Sequence, residues 1–331
     1  MNEPLPNLLR RAAHLMRSGG RGVLCLVVGA RGATPQEAGA LMLVDDAAMS
    51  FGTIGGGCVE AEVRRRAFDL LGRGGSGALR FKLNHDYGWD DGLICGGTLE
   101  VVVASPSGAA EIDRIVAEIG ARRATHVDLR VEGEGGGATY RLHVPARERL
   151  YIAGAGHVGQ AVARLGLGLE FEVRVFDDRA DLLDAALPVG AAGVAGPIEE
   201  RLREAAVDGR TYCLVVTRGH RHDERALAAV VGRGAAYVGM IGSRRKVKLI
   251  RDDLLAMGVP PGELDGVHAP VGLDIGAVSV EEIAVSIAAQ LVQVRRRSAE
   301  RVVERVAGVD LFAGVERPGG ADAPDAAATL R

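Results

Sequence analysis

The stretch Arg149–Asp178, RLYIAGAGHVGQAVARLGLGLEFEVRVFDD, decides the fold. It opens on an apolar run, Leu150-Tyr151-Ile152-Ala153, of the length of a buried strand. Gly154-x-Gly156-x-x-Gly159 follows at once, then a helical pattern built on Val158, Val162 and Leu165. A second apolar run, Phe171–Phe176, ends in Asp177-Asp178, and Asp177 lies 23 positions after Gly154. Strand, glycine loop, helix, strand and acid in this order make a dinucleotide-binding unit. Gly154 is expected to make the tight turn, Gly156 to let a phosphate approach the backbone, and Gly159 to let the helix touch the strand. The helix N-terminus, with His157 at its start, offers unpaired N–H groups and a partial positive charge to an anion. Asp177 is placed as a ligand for a ribose.

Downstream the alternation of strand and helix continues. Ala191–Ala195 reads as a strand and Pro197–Ala206 as a helix with Pro197 as its first residue. Thr211–Thr217 (TYCLVVT) is a central strand, His222–Val231 a helix, Ala235–Ile241 a strand and Ser243–Met257 a long helix. After the irregular Val267–Ala277, Ser279 and Glu282 mark a capping box for a helix over Ser279–Arg297. The expected architecture is α/β, with a C-terminal Rossmann-like, doubly wound parallel sheet covered by helices on both faces.

Upstream, Asn7–Arg17 reads as an amphipathic helix, and Gly22–Val28 (GVLCLVV) as a strand buried on both faces. Ala40–Val44 and Leu79–Leu83 are further strands, and Thr98–Ala104 another. In FGTIGGGCVEAEVRRRAFDLL (Phe51–Leu71), Gly55-Gly56-Gly57 is a loop, and Val59, Val63, Ala67 and Leu70 fall at helical spacing. Cys58 therefore stands at a helix start behind a glycine loop. Cys95 lies against Gly96 and Gly97. Glu111–Ile119 is a short helix, and Thr125–Val131 with Ala138–Val144 a hairpin. The pattern breaks at Pro145, which sets the expected domains at 1–146 and 147–310. Residues 311–331, rich in Ala, Gly, Pro and Asp, are expected to be disordered.

Composition narrows the classes. With 331 residues, 47% hydrophobic and 25% charged, the chain is ordinary for a two-domain α/β protein. A formal charge of −3 argues against nucleic acid as the partner. No window approaches the ~20 apolar residues of a membrane span. The early acid and lack of a long apolar run at the N-terminus speak against a secretory signal. Four cysteines in a chain of this length do not make a disulfide framework, so a cytoplasmic location is expected.

Several side chains are candidates for chemistry. Gly239–Lys246 (GMIGSRRK) places Ser243, Arg244, Arg245 and Lys246 at a helix start, which suits a phosphate better than a solvated basic turn, because cations oppose the helix dipole there. His220, His222 and Asp223 crowd one loop, but a metal would want more ligands close by. His268 and Asp274 sit in the irregular loop, where Asp274 can equally be a turn-former. Cys25 and Cys213 lie inside apolar strands and read as small hydrophobes. Cys58 and Cys95 differ, because glycines give a ligand access to the sulfur. At Cys58 the helix N-terminus favours a thiolate while Glu60 and Glu62 oppose it. The C-x5-R spacing from Cys58 to Arg64 is read as helix, not as a phosphatase anion loop.

Five of these segments in order, GGGCVEAEV (Gly55–Val63), ICGGTLEV (Ile94–Val101), AGAGHVGQAVARL (Ala153–Leu165), AAYVGMIGSRRK (Ala235–Lys246) and HAPVGLDIGA (His268–Ala277), closely resemble the XdhC/CoxI family. The likeness spans roughly Gly22–Val103 and Leu150–Arg297 and makes the first half an N-terminal α/β domain of XdhC/CoxI type. It implies an accessory factor for xanthine dehydrogenase-like molybdenum hydroxylases, with no turnover of its own. Such a factor binds the molybdenum cofactor (molybdopterin or its dinucleotide form), holds it during sulfuration and delivers it to the apo-hydroxylase. The resemblance assigns Cys58, with Gly56 and Gly57, to the cofactor and makes Cys58 the ligand for molybdenum, a metal that suits a soft thiolate. Cys95 joins this set, and Gly154, Gly156, His157, Gly159, Asp177, Ser243, Arg244 and Arg245 suit the cofactor's phosphate or nucleotide. A cysteine desulfurase is a further expected partner, and a homodimer the expected assembly. Many relatives carry a basic Pro-Arg segment where this chain has Thr34-Pro35-Gln36-Glu37, which removes support for an anion contact from that loop.

Two rival readings compete with this one. An NAD(P)-dependent oxidoreductase is favoured by Gly154–Asp178, but no clear proton donor pairs with a substrate pocket. A thiol-based regulator needs Cys58 and Cys95 close together, since Cα atoms more than ~7 Å apart cannot be bridged without movement.

Overall fold

A computed structural model describes residues 5–83, 97–132, 136–297 and 302–312. The chain divides into two compact units. The first comprises Met1–Ala121, Thr125–Val144 and Arg301–Arg331, and the second Arg122–Ala124 and Pro145–Glu300.

The first unit contains α1 (Leu5–Arg17), β1 (Gly22–Arg31), β2 (Leu41–Asp45), β3 (Ser50–Gly52), α2 (Gly57–Gly72), β4 (Gly77–Lys82), β5 (Thr98–Ala104), α3 (Ala109–Gly120), β6 (Thr125–Val131) and β7 (Ala138–Val144). The first five strands form an antiparallel sheet in the order β3-β2-β1-β5-β4. The alternation of side chains along β1 explains its continuous apolar run. Leu24 and Leu26 point into a core with Leu8, Leu9 and Ala12 of α1 and Ile112 and Ile115 of α3. Val23, Cys25 and Val27 point the other way, against Val59, Val63 and Ala67 of α2. Both faces are covered, so both sets of positions must be apolar. The hairpin β6–β7 pairs in the register Thr125↔Val144 to Val131↔Ala138, with buried residues alternating along both strands.

The second unit follows with β8 (Arg149–Ala153), α4 (His157–Gly168), β9 (Glu172–Asp177), α5 (Ala180–Ala186), β10 (Ala192–Ala195), α6 (Ile198–Glu204), β11 (Thr211–Val215), α7 (His220–Val230), β12 (Tyr237–Met240), α8 (Arg244–Ala256), α9 (Pro261–Asp265), β13 (Val267–His268) and α10 (Val280–Arg297). Its six strands are parallel, in the order β10-β9-β8-β11-β12-β13. Strand order reverses beside β8, as in a doubly wound sheet. Leu150 and Ile152 of β8 bury with Val162 of α4 and Ile287 and Leu291 of α10. Tyr151 and Ala153 bury on the opposite face with Leu202 of α6, Leu227 of α7 and Ile250 of α8.

Local signals fix several helix starts. Ser279 Oγ accepts from Glu282 N–H at 3.2 Å while Glu282 accepts from Ser279 N–H at 2.8 Å, the reciprocal capping box expected from the sequence. Ser243 caps α8 through Lys246 N–H. Pro197 is the N-cap of α6 and not its first helical residue, a shift of one position. A further strand, β14 (Val303–Gly308), comes from far along the chain to pair with β7, in the order β14-β7-β6. The sequence pattern places residues 302–310 with the Rossmann part; the open edge of β7 takes them into the first unit instead. Cys95 and the tail from 313 onward lie outside the described residues.

The layered core of the first unit sets a stability test. Leu26 is fully buried between α1, α3 and the sheet. Leu26→Ala should lower the unfolding free energy of that unit by about 2–5 kcal/mol, from lost burial and the residual cavity, read as a lower urea midpoint.

Candidate functional site

In the first unit the chain leaves β3 and turns into α2 through three successive glycines with φ of +124°, +74° and +65° at Gly55, Gly56 and Gly57. Such φ values are strained for any side chain, so the loop is glycine by necessity. A Cβ at Gly56 or Gly57 would meet nothing within 4 Å, which leaves the backbone open on that side. Gly55 packs against Pro35, where a Cβ would come within 2.6 Å. The loop is tied down by Glu60, whose carboxylate accepts from Thr53 Oγ1 at 2.6 Å and from the Gly56 and Ile54 N–H groups at 3.0 and 3.1 Å. Burial raises the Glu60 carboxyl, but these donors outweigh it and hold the group below its usual range.

Cys58 is the second residue of α2, half-buried and without a disulfide partner. The two acids that its sequence context set against it are engaged elsewhere. Glu60 holds the glycine turn, and hydrogen bonds from Arg65 and Arg66 hold the Glu62 carboxyl down at about 2. Cys58 to Arg64 is continuous helix and Arg64 is exposed, so no phosphatase-type anion loop exists there. Cys25 and Cys213 are buried, and burial pushes both thiols up, that of Cys213 to about 12. Among the described residues the structure thus separates one half-buried thiol from two buried ones.

In the second unit Gly154 makes the tight turn and Gly159 the helix–strand contact expected of them. Gly154 has φ +117°, and a Cβ there would lie 2.6 Å from the Val216 carbonyl. A Cβ on Gly159 would fall 2.0 Å from the Gly154 carbonyl oxygen, so this residue sets the contact between α4 and β8. Gly156 has nothing within 4 Å of its Cβ position and is the N-cap of α4 with no side-chain cap. The head of α4 therefore has no side-chain cap, and His157 beside it is exposed, an arrangement suited to an anion.

Asp177 is fully hydrogen-bonded within the chain. Its carboxylate is 1% exposed and accepts from Ala155 N–H at 2.7 Å, Arg179 N–H at 3.0 Å, and Arg179 Nε and Nη2 at 2.8 Å each. Four donors fill the four acceptor directions of a carboxylate. Burial raises the group, but the Arg179 guanidinium and the two backbone N–H groups prevail and hold it well below the usual carboxylate range. The neighbouring Asp178 pairs with Arg218 at 2.6 Å. Arg179 and Arg218 thus stand beside the acid pair at the carboxyl end of β9, although nothing in the local sequence around that pair singles them out.

The GSRRK segment is partly committed as well. Lys246 turns inward to Asp223, which is fully buried and also accepts from Thr217 N–H at 3.0 Å and Thr217 Oγ1 at 2.6 Å. Arg244 and Arg245 remain exposed at the head of α8. The irregular loop after β13 is docked on α10. Gly272 N–H donates to Gln290 Oε1 at 2.9 Å, which also accepts from Tyr237 OH at 2.6 Å, and Ser286 Oγ donates to the Leu273 carbonyl at 2.6 Å. His268 stacks on Tyr237 with centroids 4.7 Å apart, and burial first, then Arg297, lowers its pKa. Asp274 is exposed.

The Asp177 network carries a pH signature. A carboxyl whose pKa is lower folded than unfolded contributes stability above the unfolded value of about 3.9, and that contribution is lost as pH falls towards the folded value. Wild-type stability from urea titration should therefore drop as the pH falls below about 4. Asp177→Asn should lose about 1–3 kcal/mol at neutral pH and show a shallower acid dependence.

Sequence comparison now places the chain. The sequence model described as the XdhC Rossmann domain matches residues 150–291, and that of the XdhC and CoxI family matches residues 15–82. The uncharacterized protein YqeB of Escherichia coli (strain K12) is 26% identical over 292 residues, covering 88% of this chain and 47% of YqeB, so the chain spans about half the length of that relative. A probable xanthine dehydrogenase subunit from Bacillus subtilis (strain 168) is 26% identical, covering 84% of this chain and 94% of its own. PaoD of E. coli (strain K12), a molybdenum cofactor insertion chaperone, is 24% identical, with 88% and 89% covered. A crystal structure described as a xanthine dehydrogenase from Bacillus halodurans shares the fold, with a TM-score of 0.75 at 20% identity over 88% of this chain and 96% of that one. With these matches and both glycine loops built, the chain belongs to the XdhC and CoxI family.

Proposed function

We propose that this chain is an accessory protein of a xanthine dehydrogenase-type molybdenum hydroxylase. In this reading it binds the molybdenum cofactor, holds it during sulfuration and hands it to the apo-hydroxylase, with no turnover of its own. The relatives named above set the class. The observation that carries the reading is Cys58, a half-buried thiol on a glycine turn whose outer side is open, in a chain whose other described cysteines are buried.

The residues present fit such a group. When bound, the cofactor supplies a soft metal centre and a phosphate-bearing pterin. Cys58 offers sulfur, a ligand type that suits a soft metal or a sulfur transfer. Gly56 and Gly57 let the backbone come close without a side chain intervening. Cys95, outside the described residues, is assigned to the same task. In the Rossmann unit, the N–H groups following Gly156, through His157 and Gly159, suit a phosphate or an attached nucleotide. Ser243, Arg244 and Arg245 extend the same basic, N–H-rich chemistry, while Asp177 keeps the loop in shape. A cysteine desulfurase as sulfur source, a homodimer and a cytoplasmic location belong to the same proposal.

The uncapped α4 N-terminus equally favours a nicotinamide dinucleotide, the basis of the NAD(P)-dependent oxidoreductase reading. Against it stands the engagement of Asp177, whose acceptor directions are filled.

The two readings separate in one preparation. Protein purified from cells that make the molybdenum cofactor should release pterin fluorescence on oxidation and activate an apo-hydroxylase. Cys58→Ser should retain at least about tenfold less pterin, equivalent to about 1.4 kcal/mol, while Cys213→Ser retains the wild-type amount. Equal retention by the Cys58 variant removes the assignment. Substrate-dependent change in nicotinamide absorbance without pterin release would favour the oxidoreductase.

A further inference from the structure

The pairing of α7 with α8 gathers side chains that neither glycine loop uses. His220 and Glu224 are one helical turn apart on α7, the i,i+4 spacing that places two side chains on one face. Asp253 reaches the same point from α8. His220 Nε2 lies 3.8 Å from Glu224 Oε2 and 3.5 Å from Asp253 Oδ2, and the three ligand atoms are all within 4.8 Å of one another. The side chains are 35%, 22% and 42% exposed, partly sheltered but open to an entering ion.

Charge sets this cluster apart from its neighbours. Nearby acids are matched by basic residues: Asp223 by Lys246, Asp265 by Arg251, and Glu199 by Arg225. Among the described residues Glu224 and Asp253 have no lysine or arginine partner, and the imidazole of His220 stands between them. His220 Nδ1 is itself buried without a hydrogen-bond partner. Two carboxylates converging on one ring nitrogen present three ligand atoms to a single point, and a metal ion is the cation that uses all three.

The distances suit a small divalent ion. Bonds of 2.0–2.2 Å in a tetrahedral site separate the ligand atoms by about 3.4 Å, and the two His220 distances exceed this by only tenths of an ångström. One imidazole nitrogen and two carboxylate oxygens make a borderline-hard set, appropriate to Zn2+ and unsuited to Cu+. Three protein ligands leave the fourth position for water or an anionic ligand. His220 directly follows Thr217–Gly219, in the segment leaving the carboxyl end of β11, the end of such sheets at which ligands bind.

We propose that His220, Glu224 and Asp253 form a binding site for a divalent first-row transition metal of the Zn2+ type, with one open coordination position. The ion ties α7 to α8 and stabilises the folded second unit by mass action. The site is independent of the cofactor role proposed above.

The test uses tag-free, full-length protein, stripped with chelator and titrated calorimetrically with Zn2+ alone, in a Cys58→Ser background so that no thiol at that position competes. One equivalent should bind and raise the melting temperature. Glu224→Gln and Asp253→Asn should each weaken binding at least about tenfold, the lower range of loss seen even for outer-shell changes, and abolish the thermal shift. Without metal the two variants should melt no lower than their parent, since each removes a carboxylate from a mutually repelling pair; this separates ligand loss from misfolding. Absence of a Zn2+ equivalent in the parent protein, or unchanged affinity in both variants, would overturn the site.

Discussion

The buried carboxylate of Asp177 is the constraint around which the Rossmann unit is arranged. It sits at the end of β9 and accepts a hydrogen bond from Ala155 N–H, inside the glycine loop that follows β8. A 1% exposed charge is tolerable only if every acceptor direction is filled, and Arg179 and its own N–H complete the set. One side chain thereby couples the ends of two neighbouring parallel strands to the loop that opens α4. Within this loop the Gly154 and Ala155 N–H groups are hydrogen-bonded, to the Phe176 carbonyl and to Asp177, while the head of α4 has no side-chain cap.

That division recurs elsewhere in the chain. Glu60 performs for the Gly55–Gly57 turn what Asp177 performs for Gly154–Gly156, drawing three donors to one carboxylate oxygen and leaving the outer side of the turn bare. Asp223 holds Thr217 and Lys246 in the same manner. In each case an acid near a glycine-bearing loop serves the protein's own backbone or a basic side chain.

Family membership and geometry answer different questions. The relatives fix which proteins this chain is like, and the solved neighbour fixes its fold. What any residue does follows from its surroundings. Among the described residues, Cys25, Cys58 and Cys213 are identical in chemistry and differ in burial, and of the three Cys58 is the one not buried.

The sequence by itself determined the elements and their class. Apolar runs bounded by glycine, the Ser279–Glu282 capping box, the Thr125–Val144 hairpin and the Gly154–Gly159 loop are local patterns, set by side-chain period and backbone sterics over a few residues. The five motifs likewise carried the family. Tertiary structure alone decided the rest. That β14 returns to the edge of β7, that Asp177 accepts from Ala155, and that Asp253 meets His220 and Glu224 are pairings across tens to more than a hundred residues. No local period encodes which distant partner a carboxylate or a strand edge will find; that choice falls to packing, which bends the chain until buried charges and open edges are satisfied.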